Sequence, residues 1–157
     1  MSGAVLSGRS GRVFWVIGWA LFALYCAVVA TIVFAPQHVD DNEAGSRLVS
    51  LLDAGHAQGW LPGFITYASI EQLSNVIMFA PGFLLMLLLF YRARPGRRVG
   101  AITLGAVAVS AGIELIQTAM PERTGDPIDV LMNGTGAFIG SLTAWGVHSL
   151  WMRWVKR

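Results

Sequence analysis

Seven side chains able to bind or transfer protons lie close together in one run of an otherwise apolar chain. From Ser110 to Gly140 the sequence reads S-A-G-I-E-L-I-Q-T-A-M-P-E-R-T-G-D-P-I-D-V-L-M-N-G-T-G-A-F-I-G, and its centre carries Glu114, Gln117, Glu122, Arg123, Asp126, Asp129 and Asn133. Both flanks are apolar and long enough to belong to membrane helices. A bilayer tolerates such groups only where they face protein or water, and there they mark working sites. Glu114 and Asp129 are candidates for a general acid and a general base. Arg123 would serve as a counter-ion or as a phosphate clamp, since its planar guanidinium fits both tasks. No Ser, Cys or His nucleophile is paired with a base by any motif, and no Cys/His cluster has metal-ligand spacing. Neither a metal nor a cofactor is expected.

The composition says what kind of element must hold these groups. Of 157 residues, 55% are hydrophobic and 13% charged, and the mean hydropathy is +0.59. Soluble domains are about a quarter charged, so the chain belongs to the membrane class, as one membrane domain over residues 1–157. The single cysteine, Cys26, falls inside the first apolar run and reads as a packing residue. A net charge of +2 and a pI near 9.1 do not point to nucleic acid, because membrane topology already accounts for the basic residues.

Four apolar runs follow one another, predicting an all-α, four-transmembrane-helix bundle with spans near 13–35, 70–91, 99–119 and 127–151. Val13 to Ala35 carries no charge over 23 residues, more than the roughly 20 needed to cross a bilayer. It is also longer than a signal-peptide core and ends in a poor cleavage site, so it reads as an uncleaved helix. In the polar loop Pro36 to Ser69, Ala44, Leu48, Leu51 and Leu52 recur at helical spacing, predicting a short amphipathic helix on the membrane surface. Trp60, Phe64 and Tyr67 then suit an interfacial aromatic belt. Pro81-Gly82 interrupts the second span and predicts a kink near Phe79. The third span is rich in Gly and Ala, which lets helices approach closely. Asp126-Pro127-Ile128-Asp129 reads as a helix start, with Asp126 at the N-cap and Pro127 at the first helical position.

Charge sets the orientation. Arg9 and Arg12, then Arg92, Arg94, Arg97 and Arg98, then Arg153, Lys156 and Arg157 account for nine of the eleven Lys and Arg. With four spans all nine share one side, and no acidic residue joins them. The positive-inside rule then places both termini in the cytoplasm, with the loop and the 120–126 turn outward. At 1.5 Å per residue, Glu114 lies about 8 Å, Asn133 about 9 Å and Asp129 about 3 Å below the outward ends of their spans. Ser110, Glu114 and Gln117 fall within about 60° on one helix, and Asp126, Asp129, Asn133, Gly136 and Gly140 within about 80° on the next. Asn75 joins them from the second span. The spacing predicts an outward-opening polar pocket lined by Asn75, Glu114, Gln117, Arg123, Asp126, Asp129 and Asn133. Each residue also has a plainer role: Asn75, Gln117 and Asn133 as interhelical hydrogen-bond glue, and Asp126 as a cap.

The motifs Asn75-x3-Phe79-x-Pro81, Ser110-x3-Glu114-x2-Gln117 and Arg123-x2-Asp126-x2-Asp129-x3-Asn133-x2-Gly136-x3-Gly140 resemble those of the VanZ-like family of small bacterial membrane proteins, over about residues 75–140. The chain departs from it at Pro81-Gly82, where the family has Pro-Leu-Gly. The resemblance implies a cell-envelope role, the family's namesake being linked to teicoplanin resistance, and it implies no catalytic residues. The functions in competition are binding of a lipid head group or glycopeptide-type ligand, an intramembrane enzyme acting on a phospholipid or isoprenoid-phosphate head group, and a small ion-coupled transporter. A through-going proton path is not visible, because no acidic residue falls in the cytoplasmic half of any span. The bilayer itself is the one partner that the composition requires.

Overall fold

The computed structural model describes residues 8–34, 43–89, 95–120 and 126–155. These residues form five helices: α1 (Gly8–Val33), α2 (Glu43–Ala57), α3 (Tyr67–Leu89), α4 (Pro95–Gln117) and α5 (Pro127–Val155). No strand occurs among them. Three helices are long and apolar enough to cross a membrane, over Trp15–Val33, Tyr67–Leu89 and Arg97–Gln117. Their large apolar side chains, such as Val16, Leu24, Leu104 and Leu115, are exposed, as expected of surfaces that face lipid rather than water.

α5 is the longest helix, with 29 residues, yet it is not one of those three. Its hydropathy is diluted by Asn133, Thr135, His148 and a series of glycines and serines, and the structure shows why they are there. α5 packs against both α3 and α4, and it buries Asn133, Gly134, Gly136, Ala137, Gly140, Ser141 and Ala144. Small side chains let it approach its neighbours closely, the main source of helix association where lipid removes the hydrophobic driving force. At Gly140 a Cβ would meet the carbonyl of Ala80 and the backbone nitrogen of Leu84. Toward the other end of the bundle, Leu87, Val99 and Ala144 form a buried apolar cluster flanked by Leu84 and Ile102.

Local chemistry explains the helix starts. Thr66 and Ser69 cap α3 reciprocally: the Thr66 N–H donates to Ser69 Oγ at 2.8 Å and the Ser69 N–H to Thr66 Oγ1 at 3.2 Å, an arrangement that satisfies two orphan donors at once. α3 therefore begins three residues before the expected Ile70. α5 begins at Pro127 as expected, with the Ile128 N–H donating to Asp126 Oδ1 at 2.8 Å. α3 continues unbroken through Pro81, and beside that proline the Tyr25 hydroxyl of α1 donates to the Met78 carbonyl.

α2 occupies the loop where a short helix was expected, with a different buried face. Gly45, Leu52 and Gly55 are buried and Leu48 partly so, while Ala44 and Leu51 are exposed. The chain then turns back at Gly59, whose φ of 73° lies in the left-handed region that favours glycine. Trp60 and Leu61 come to rest against Gly55. Leu61 N–H donates to the Gly55 carbonyl at 3.2 Å, which closes the C-terminus of α2.

Candidate functional site

Ser110, Glu114, Gln117, Asp126, Asp129 and Asn133 of the Ser110–Gly140 run lie toward one end of the bundle, and each helix start or end there has a reason to bind one of them. The first turn of α5 exposes backbone N–H groups and the positive end of the helix dipole. Glu114 reaches this point from α4, and its Oε2 accepts the Asp126 N–H at 2.7 Å. Such a charge-assisted bond makes an acid tolerable at a position that is only 9% exposed. Asp126 itself caps the helix through its side chain. Asp129, one turn further, accepts from Asn75 Nδ2 of α3 at 2.7 Å.

One turn deeper, Asn133 Nδ2 donates to Ser110 Oγ at 2.8 Å, joining α5 to α4. Both residues are buried, and the Asn133 Oδ1 atom is buried with no hydrogen-bond partner. A lone acceptor of this kind is costly unless water or a ligand supplies a donor. Gln117, also buried, donates through Nε2 to the Val33 carbonyl at 2.9 Å. Val33 is the last residue of α1, so Gln117 satisfies a carbonyl that the helix end leaves without an intrahelical donor.

The structure thus gathers Asn75, Glu114, Gln117, Asp126, Asp129 and Asn133 into one layer contributed by α3, α4 and α5. Glu122 and Arg123 lie outside the described residues, as do Arg92 and Arg94. Among the described residues, no group of three or more His, Cys, Asp or Glu is placed to hold a metal ion.

Two participants from α1 escaped the sequence reading. The Val33 carbonyl left no trace, because every residue carries one. Tyr25 did leave a signal: it sits in the middle of an apolar run, and a mid-span hydroxyl needs an acceptor. Its ring lies where a Cβ on Gly82 would be, so Gly82 admits the close approach of α1 to α3. Beside the polar layer, α1, α3 and α4 enclose a partly open cavity of about 210 Å³, lined by carbon almost throughout.

These features define an all-helical membrane protein whose buried polar layer ties its helices together near one end. A family model described as VanZ/LLP1 matches residues 21–151, and the chain belongs to that family. The match reaches well beyond residues 75–140, taking in the second half of α1 and nearly all of α5. No curated protein and no solved structure matches the chain.

Proposed function

We propose that the chain crosses the bacterial cell membrane four times with both termini in the cytoplasm, and that its outward polar layer receives a lipid head group or a glycopeptide-type ligand. α5 is the fourth span in this reading. Its 29 residues extend about 43 Å, enough for a hydrocarbon core of about 30 Å. Its Gly134 faces α4 and its Gly136 and Gly140 face α3, and Asn133, Ser141 and Ala144 are buried with them, which supports a place inside the bundle rather than outside the bilayer. α2 then lies on the outer surface, and the basic clusters lie inward.

The observation that carries the ligand reading is the polar layer itself. Bonds from Asn75 to Asp129, from the Asp126 N–H to Glu114 and from Asn133 to Ser110 fall within two turns along α3, α4 and α5, and Asn133 Oδ1 has no donor. The family bond to glycopeptide resistance extends the proposal to phenotype: loss of this protein lowers tolerance to teicoplanin-like antibiotics.

Native mass spectrometry of gently extracted protein tests the ligand. Wild type is expected to carry a specific bound species that Glu114→Gln loses. Glu114→Gln suits the purpose because glutamine keeps an acceptor for the Asp126 N–H while removing the charge. The reading fails if wild type carries nothing specific and both Glu114→Gln and Arg123→Ala leave envelope phenotypes intact.

A further inference from the structure

We propose that the cavity between α1, α3 and α4 holds an acyl chain of an amine-headed glycerophospholipid whose ammonium group sits in the carboxylate layer above it. This deepens the head-group reading and rests on it. The cavity runs along α1 from Phe22 to Phe34, about 18 Å of helix, with Phe79 and Phe83 of α3 and Ile113 of α4 opposite. The Tyr25 hydroxyl in its wall is already engaged with the Met78 carbonyl. What the walls offer a guest is therefore carbon surface, which fits a hydrocarbon tail and no polar ligand.

The upper end leads into the polar layer. Val33 lines the cavity while its carbonyl binds Gln117. Ile113 precedes Glu114 in sequence, and Phe79 lies one turn below Asn75, the partner of Asp129. Below the Gln117–Val33 bond, α1 leans on α3, which leaves the side toward α4 as the way in. The charge of the outward segments selects the head. All nine Asp and Glu fall on the outward loop, the outward turn or the outward ends of the spans, against Arg47 and Arg123 as the only Lys or Arg there, a field that attracts an ammonium and repels a purely anionic head.

The test uses the full chain in vesicles of equal phosphatidylethanolamine and phosphatidylglycerol, followed by gentle extraction and native mass spectrometry. Wild type is expected to retain phosphatidylethanolamine preferentially. Ala30→Trp, which fills the cavity, is expected to lose it, while Val16→Trp, on an exposed part of α1 away from the cavity, keeps it. Cys26 supplies a second readout that needs no substitution, because the sole cysteine lines the cavity. Its reaction with a lipid-soluble maleimide is expected to rise when detergent strips bound lipid. Unchanged retention in Ala30→Trp, or Cys26 reactivity indifferent to delipidation, overturns the acyl site. Equal retention of phosphatidylglycerol overturns the amine head. Loss in Glu114→Gln with full retention in Ala30→Trp sinks the cavity alone. Loss in Ala30→Trp with full retention in Glu114→Gln sinks the head-group reading and the ammonium with it.

Discussion

Glu114 shows how a single residue serves the fold while remaining available to a ligand. Its Oε2 holds the Asp126 N–H in a part-buried bond, so Glu114→Ala removes that bond at a cost of about 0.5–1.5 kcal/mol. Thermal unfolding in detergent is expected to show that loss for Glu114→Ala and a clearly smaller one for Glu114→Gln; equal losses would mean that the carboxylate charge, not the bond, supports the fold. Helical spacing was enough to put Ser110, Glu114 and Gln117 on one face, and depth was enough to bring Asn75, Asp129 and Asn133 to their level. The individual pairings were not readable. Whether Asn75 meets Asp129 or Asn133 depends on the rotation of α3 against α5, and side-chain types alone leave that rotation open. Gln117 was legible as a buried amide, but its acceptor is backbone and carries no signature.

At the scale of elements, α5 depends on the absence of side chains. A Cβ at Gly140 would meet the backbone of Ala80 and Leu84, which has no rotamer to yield, whereas one at Gly146 would enter open space. Gly140→Ala is expected to lower the unfolding temperature in detergent. Gly146→Ala is expected to leave it unchanged or raise it slightly, since alanine is favoured over glycine in a helix by up to about 1 kcal/mol. Equal effects of the two would refute the close α3–α5 contact as the cause. The apolar runs and the Asp126-Pro127 start made the helices legible. The weak apolarity of α5 concealed how central it is, because hydropathy measures affinity for lipid and this helix meets mostly protein. The buried face of α2 was missed for a related reason: Gly45 and Gly55 are buried by virtue of being small, which an apolar stripe does not register.

For the whole molecule, charge makes the sharpest statement. With Cys26→Ser as background, Ser7→Cys and Lys156→Cys are expected to resist a membrane-impermeant maleimide on intact cells, while Asp53→Cys reacts. Opposite labelling of the two ends would mean an odd number of crossings and would remove α5 as a span. Aromatic residues agree with this frame, since Trp15, Trp151 and Trp154 are exposed at one end and Trp60 and Phe64 at the other, as membrane interfaces favour. The bond from Gln117 to the Val33 carbonyl spans 84 positions of chain. A ribosome adding about 5–20 residues per second needs several seconds to supply that distance. During that interval α1 has been made but its fastener has not, so the C-terminal end of the first helix stays unfastened until α4 is complete, and the bonds of α5 to Asn75 and Ser110 come later.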